Sequence, residues 1–194
     1  KNDKVLKKRM KERDFWDLMD WAFFSIDKEI RRCACFILAV AETKQAEKYL
    51  LDKLLDPVLN DEIKAYIVEL FVLGGYDKTV GAVMSSVYKK VCFYPLSAED
   101  DAHGSLFTSA YALCYSKCVL IGDYDMRKVY DAANTLYFLT DGSRLFRNLE
   151  ANTLAALIYL RSEVEKVVAV EDAAALFGCR KEELMKLMEE TENI

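Results

Sequence analysis

The chain has 194 residues, of which 53% are hydrophobic, so it is long enough and apolar enough to bury a core and is not intrinsically disordered. Two prolines, seven glycines and 30% charged residues favour long helices with short connections. A net charge of −5 argues against binding to polyanions, and the longest apolar run, residues 33–41, is shorter than the roughly 20 residues that a membrane helix needs.

We therefore predict an all-α protein, beginning with a basic segment. Residues 1–13 contain seven Lys or Arg against Asp3 and Glu12, a local excess of five positive charges. Such a run is a candidate for binding nucleic acid or an anionic surface, and is more often a solvated helix end. The chain starts at Lys1 without the apolar segment of a signal peptide, so we expect either a trimmed start or the cut end of a longer protein.

The next segment, DFWDLMDWAFFS, is predicted to be an amphipathic helix that caps the helices following it. Trp16 and Trp21 flank its apolar face. That face comprises Phe15, Leu18, Met19, Ala22 and Phe23.

An internal repeat follows, because residues 29–41 align with residues 62–74 at an offset of 33 residues. Glu29, Ile30 and Arg31 of the first segment match Glu62, Ile63 and Lys64 of the second. The second segment is apolar from Tyr66 to Leu73 apart from Glu69, so its helix should be buried between neighbours. Gly74 and Gly75 are predicted to end that helix.

The same offset predicts a second amphipathic helix from Thr79 to Val91. Its apolar residues lie at i, i+3, i+4, i+7, i+8 and i+11 along one face. They are Val80, Val83, Met84, Val87, Tyr88 and Val91.

Residues 26–92, entered through Asp27 and Asp61, thus resemble two units of the HEAT family of helical repeats. The resemblance implies an α-α superhelix of stacked helix pairs, in which Arg31 and Lys64 help to tie neighbouring units together. A generic helical bundle is the alternative.

The pattern stops near Pro95, since the next offset would place Asp100 at a core position. We predict three parts: residues 1–94, an N-terminal helix with two HEAT-like helix pairs; residues 95–104, an exposed linker; and residues 105–194, a C-terminal helical domain. Helices are expected at 105–121, 126–139, 151–168, 171–177 and 180–190.

Residues 151–190 are similar to the last helices of a cyclin box, as in general transcription factor IIB. The matching residues include Ala155, Ala156, Tyr159, Gly178 and Leu184. Val168 and Ala169 stand where that family has a basic residue, so an inherited DNA contact is in doubt. The segment also fits a helix-turn-helix, but its last helix has more acidic than basic residues, which opposes DNA binding.

No catalytic, cofactor-binding or metal-binding residue is assigned, and no cofactor is expected. His103, the single histidine, is predicted in a loop without a Cys-x-x-Cys partner, and the adjacent Asp100 and Asp101 are interpreted as part of the solvated linker. The six cysteines are expected to be free thiols, five of them in apolar patterns, which favours the cytoplasm.

The leading prediction is a non-enzymatic interaction or scaffold module that binds another protein or missing domains of the same chain, with nucleic acid and membrane not expected as partners. One alternative is a nucleic-acid-associated regulatory protein that uses the basic N-terminus and the cyclin-box-like helices. A second is a carboxylate-dependent enzyme whose site is assembled across helices, which sequence spacing cannot reveal.

Overall fold

The computed structural model describes residues 2–99, 101–122, 125–140, 149–162 and 168–192, with side chains from Lys4 onward. These residues form ten helices and one antiparallel pair of strands, so the prediction of a mostly helical protein is confirmed. None of the helices in these ranges is long and apolar enough to cross a membrane. The elements are α1 (Asn2–Arg9), α2 (Arg13–Phe23), α3 (Lys28–Val40), α4 (Lys44–Leu55), α5 (Asp61–Leu73), β1 (Thr79–Met84), β2 (Val87–Cys92), α6 (Ala102–Ile121), α7 (Met126–Leu139), α8 (Ala151–Arg161), α9 (Val170–Phe177) and α10 (Lys181–Glu192).

Five helices begin at a residue whose side chain accepts a hydrogen bond from a backbone N–H of the first turn. Such caps satisfy donors that have no partner within the helix. The sequence identifies Asp27 correctly as one of them, whereas α5 is capped by Asn60 and not by the adjacent Asp61. The capping residues are Asp27, Thr43, Asn60, Asp101 and Asp125.

The end of α5 is fixed by its two glycines, as predicted. Gly75 has a φ of +69°, a conformation that glycine adopts without a Cβ clash. The N–H of Tyr76 donates to the Phe71 carbonyl at 2.9 Å and the N–H of Gly75 to the Val72 carbonyl at 3.0 Å, and the rings of Phe71 and Tyr76 stack at 4.7 Å. This is a Schellman ending with its usual apolar contact.

The two matched segments form α3 and α5, which are helices of 13 residues each. α3 packs against α2, α4 and α5, and α5 in turn packs along α6. The matched isoleucines are not equivalent in burial, because Ile63 is 1% exposed whereas Ile30 is half-buried. α5 is thus the central helix of this half.

The predicted helix from Thr79 to Val91 is wrong, because the segment forms the hairpin β1–β2. A helix pair therefore exists for the first unit, α3 and α4, but not for the second. Burial in this segment follows the alternation of a strand and not the spacing of a helix. Ala82 and Met84 of β1 and Val91 of β2 are buried. Val87 and Tyr88, which belong to the predicted apolar face, are exposed.

The composition of the segment explains the error. Four valines and a threonine favour strands, where branched side chains keep their preferred rotamers. Ser85 and Ser86 both have positive φ, +51° and +63°, which is the geometry of the two-residue turn that best matches the twist of a hairpin. Apolar spacing alone does not distinguish the two structures in a segment this short.

Buried and half-buried polar groups attach the hairpin to the helices. Lys64 is 1% exposed, and its Nζ donates to the Val83 carbonyl and lies 3.7 Å from Asp61 Oδ1. Asp61 Oδ2 accepts from the Ser85 N–H at 2.7 Å. Lys64 thus connects α5 to β1 within the chain. Arg31, the matched residue of α3, instead donates a hydrogen bond to the carbonyl of Ser25, which lies just before α3.

The segment predicted as an exposed linker, 95–104, is partly packed. α6 already begins at Ala102, and Gly104 in its first turn is buried. Only glycine fits at this position, because a Cβ would lie 2.0 Å from the Glu99 carbonyl oxygen. The Glu99 N–H donates to the Tyr137 hydroxyl at 2.9 Å. The division into two domains stays a prediction, but buried residues of both halves form one contiguous core.

The C-terminal half follows the predicted order of helices around α6. α6 contacts α5, α7 and α8, and α8 packs against α9 and α10. α8 ends at Arg161, earlier than the predicted residue 168, and residues 163–167 of that prediction lie outside the described residues. The turn after α9 is at Gly178, with φ of +68°, as predicted.

Candidate functional site

The polar residues near the predicted linker have structural partners. His103 lies in the first turn of α6 and not in a loop, with its ring 4.8 Å from Phe107 and 5.2 Å from Tyr137 between centroids. Asp101 caps α6, its Oδ1 accepting from the Gly104 N–H at 2.7 Å. Asp100 lies outside the described residues. Asp101 is therefore held as a helix cap and is not positioned for acid–base chemistry.

The cysteines are mostly in unreactive surroundings. Burial raises the pKa of the Cys35 thiol to about 12, and burial, reinforced by Cys118, raises that of Cys114. Because the thiolate is the reactive form, such thiols are poor nucleophiles and ligands. Cys33 is exposed, contrary to the expected burial. In the described parts of the chain, no group of three or more His, Cys, Asp or Glu side chains is arranged to hold a metal ion.

The two regions considered for nucleic acid, the basic N-terminus and the surroundings of α10, contain intramolecular ion pairs. Near the N-terminus, Arg9 lies 2.8 Å from Glu12. Around α10, Arg180 pairs with Glu183, and Lys181 of α10 pairs with Glu171 of α9. These contacts offset the positive charge that phosphate binding would need.

A polar groove of about 530 Å³ lies between α3, α5, α6 and the beginning of α8. Its walls come from residues at helical spacing: Lys28 and Arg32 on α3, and Tyr66 and Glu69 on α5. On α6 the polar groups are Ser109, Ser116 and Lys117, next to Leu113 and Leu120, and Asn152 comes from α8. Four helices therefore contribute to one concave surface, the arrangement typical of ligand sites between packed helices.

Glu69 is the least ordinary group of this groove. Burial raises the pKa of its carboxyl, outweighing the opposite effect of Arg32 and Lys117. Among the described residues, no ion pair within 4.0 Å joins Glu69 to either cation. A carboxyl with a raised pKa beside two cations in a cleft is a recognised indication of a functional site.

Arg32 is positioned by Tyr66. Its guanidinium carbon lies 4.3 Å from the centroid of the Tyr66 ring, a cation–π contact that orients the side chain toward α5. Burial raises the pKa of Tyr66, and Arg32 opposes that shift. At the exposed end of the groove, Lys28 lies 3.7 Å from Glu62. Arg32 is thus preorganised, whereas Lys28 and Glu62 at the exposed end neutralise each other.

The sequence contains one signal for this groove: Glu69 is the lone charge in the apolar stretch Tyr66–Leu73. A charge in such a stretch has to reach a polar surface or a partner. The partners Arg32 and Lys117 lie on other helices, so no spacing in the sequence links them to Glu69.

A second surface is an exposed apolar stripe at the end of α2, formed by Leu18, Trp21, Phe24 and Ile26. These side chains are 54%, 59%, 51% and 98% exposed. Leu18, Trp21 and Phe24 follow one another at intervals of three residues, which keeps them along one side of the helix. Leu18 was predicted on the buried face, of which Met19, Ala22 and Phe23 are in fact buried.

The helix carrying this stripe is anchored on α4 by a charged cluster. Lys53 Nζ lies 2.8 Å from Asp20 Oδ1 and 5.1 Å from the centroid of Phe24, and the Tyr49 hydroxyl donates to Asp20 at 2.6 Å. Burial would raise the pKa of Asp20, but hydrogen bonds from Lys53 and Tyr49 together lower it. The end of α2 is therefore fixed in place while its apolar stripe stays in solvent.

Comparison with known proteins gives no relative: no family model matches the chain, and neither does any curated protein or solved structure.

Proposed function

We propose that this protein is a non-enzymatic interaction module that binds another protein through the apolar stripe Leu18, Trp21, Phe24 and Ile26. The observation that carries the proposal is the exposure of four large apolar side chains, each by half or more, along one helix end. Contiguous exposed apolar surface is typical of contact sites, and tryptophan is enriched among the residues that dominate binding energy.

The charges beside the stripe support a partner with basic residues around its apolar face. Asp14, Asp17 and Asp20 recur at intervals of three residues on the same helix, and all three are exposed. Arg13 lies 3.8 Å from Asp17, and Lys53 is paired with Asp20. An apolar helix face bordered by Lys or Arg would bury its apolar side chains on the stripe and meet this acidic row, because complementary rims favour encounter and register.

The family resemblances and the compartment belong to the same proposal. The hypothesis of a HEAT-like superhelix is supported by the equal lengths of α3 and α5. The hypothesis of a cyclin-box-like end is supported by the order of α8, α9, Gly178 and α10. Six cysteines without a disulfide favour the cytoplasm. The module would there present α2 as the outermost helix of its helical stack.

The alternatives have weaker support. Nucleic-acid binding is opposed by the ion pairs around α10 and the net charge of −5. A carboxylate-dependent enzyme has Glu69 in its favour, yet acid–base catalysis with carboxylates alone usually employs two of them with different pKa values. Glu62, the other acid of the groove, is engaged with Lys28 at the exposed end.

The test is site-specific cross-linking followed by reconstitution. A photoreactive phenylalanine derivative replaces Leu18 in one variant and Phe138, an aromatic residue of α7 that is 64% exposed, in a control variant. Both variants are irradiated in cell extract. A protein that is cross-linked through position 18, and not through position 138, is identified and purified. Its affinity for the unaltered chain is then measured by calorimetry. We expect Trp21→Ala to weaken binding at least about tenfold, as for a central interface residue, and Phe138→Ala to have no effect.

Four results would contradict the proposal. One is equal cross-linking from both positions, and another is unchanged affinity of Trp21→Ala. The third is a concentration-dependent dimer, lost in Trp21→Ala, in analytical ultracentrifugation of the isolated protein, which would make a second copy of the chain the occupant. Co-sedimentation of the protein with anionic lipid vesicles, lost in Trp21→Ala, would likewise contradict the proposal, because a membrane surface would then be the occupant of the stripe.

A further inference from the structure

The groove of α3, α5, α6 and α8 is separate from the apolar stripe and has a charge pattern of its own. α5 lies between α3 and α6, so Arg32 on one wall and Lys117 on the other both face Glu69. Two cations against one carboxyl leave the inner groove with a positive charge even when Glu69 is ionised. In a chain whose net charge is −5, such local positive charge is not a consequence of composition.

We infer that this groove is a binding site for a small organic anion, whose carboxylate or phosphate group lies between Arg32 and Lys117 and whose apolar part contacts Leu113 and Leu120. A volume of about 530 Å³ lies within the range of about 300–1,000 Å³ found for small-molecule sites. Planar guanidinium groups bind carboxylate and phosphate oxygens through two hydrogen bonds, and Tyr66 holds that of Arg32 at 4.3 Å from its ring.

Glu69 makes the affinity of the groove for an anion depend on pH. When protonated, Glu69 donates a hydrogen bond to the bound oxyanion; when ionised, it repels it. The anion in turn favours the protonated carboxyl, so binding takes up a proton and becomes tighter as the pH falls toward the pKa of Glu69. The groups facing Glu69 are Arg32 from α3, Lys117 from α6 and Tyr66 from α5 itself, and Asn152 of α8 is uncharged.

The experiment uses four simple probes on the full chain. Phenyl phosphate and benzoate carry an oxyanion on an apolar ring, inorganic phosphate carries the oxyanion alone, and benzyl alcohol carries the ring alone. Binding is followed by NMR titration of the side-chain methyls of Leu113 and Leu120 at pH 5.5 and 7.5 and at low salt, because charge-based binding is screened. We expect one or both ring anions to shift these methyls, phosphate to bind more weakly, and benzyl alcohol to leave them unchanged. The comparison of phenyl phosphate with benzoate identifies the preferred anion.

Variants separate the binding site from a merely structural charge cluster. Arg32→Gln and Lys117→Gln should each weaken the preferred ring anion about tenfold or more, as expected for loss of a charge-assisted hydrogen bond. Lys90→Gln, the same change on the exposed side of β2, should have no effect. With benzoate, Glu69→Gln should bind more tightly than the unaltered protein at pH 7.5 and lose the pH dependence; phenyl phosphate is not used for this comparison, because its own second pKa of about 6 lies between the two pH values.

The inference is wrong if benzyl alcohol shifts the methyls as strongly as the anions, or if no anion shifts them at either pH. It is equally wrong if Lys90→Gln weakens binding as much as Arg32→Gln. Because the methyl titration uses the unaltered protein, a variant that fails to fold does not prevent a decision. The proposed protein partner is tested at a different surface, so either proposal can fail alone.

Discussion

Helix α4 and the hairpin β1–β2 occupy matching places in the repeat, each following a 13-residue helix, yet they fold differently. Both carry apolar residues at spacings that a helix would align. α4 contains four Leu and three Lys among its twelve residues, and both residue types lose little side-chain freedom in a helix. The hairpin segment contains Val, Thr and Gly instead, and a Ser-Ser turn. The comparison shows that residue type, and not apolar spacing, decides between helix and strand in such short segments.

The two helices preceding these segments give the largest expected difference. Ile63→Ala in α5 should lower the free energy of unfolding by about 2–5 kcal/mol, because a fully buried side chain leaves a cavity. Ile30→Ala, the matched change in α3, should cost less than half as much, since Ile30 is only half-buried. Urea denaturation measures both, and equal losses would mean that α3 and α5 are equally central.

The basic residues at the matched positions should differ next. Lys64→Met removes the ion that ties α5 to the hairpin and leaves the Val83 carbonyl unpaired, at a cost of about 1–3 kcal/mol in unfolding free energy. Arg31→Met removes hydrogen bonds to a partly exposed loop and should cost less. Thermal unfolding of the two variants makes the comparison. A smaller loss for Lys64→Met would contradict the role assigned to Lys64.

A substitution in the turn of the hairpin should change the stability in opposite directions for a hairpin and for a helix. Ser86→Gly should stabilise the protein by about 0.5–1 kcal/mol, because Ser86 has a φ of +63° that glycine adopts without strain. In a helix the same substitution would destabilise by a similar amount. Chemical denaturation of this single variant therefore distinguishes hairpin from helix for residues 79–92.

The smallest effect concerns the contact between the hairpin's base and α4. Glu47 of α4 accepts hydrogen bonds from Lys78 and Tyr76, both at 3.0 Å, and these lower the pKa of its carboxyl. A carboxyl whose pKa is lowered by folding contributes stability above its unfolded pKa and loses that contribution as the pH falls through its folded pKa.

Glu47→Gln should therefore be less stable than the unaltered protein at pH 7, by no more than about 1 kcal/mol because the pair is largely exposed. The difference should disappear as the pH falls from the pKa of glutamate in the unfolded chain, about 4.3, through the lower pKa of Glu47 in the folded protein. Unfolding curves from pH 7 to 3 provide the measurement. A difference that grows in acid would mean that Glu47 acts through packing instead of charge.

Most helices of this protein could be predicted from the sequence, whereas its candidate sites could not. Caps such as Asp27 and the stops at Gly75 and Gly178 are local, because each depends on a few neighbouring residues. Trp21 was placed on the flank of its helix, and no pattern predicted that Leu18 beside it would also stay exposed. Exposure depends on which other helices pack against α2, and that is a property of the whole chain.

The sequence by itself determined the helical class, the helix stops at Gly75 and Gly178 and the 33-residue match between α3 and α5, since these follow from local propensity, capping and periodicity. Tertiary structure decided where the hairpin of residues 79–92 packs, since Lys64 and Asp61 of α5 hold its strand and its turn. It also brought Arg32, Glu69 and Lys117 into one groove from three helices. Residues far apart in the chain share a site only through packing, and the raised pKa of Glu69 arises from the burial which that packing creates.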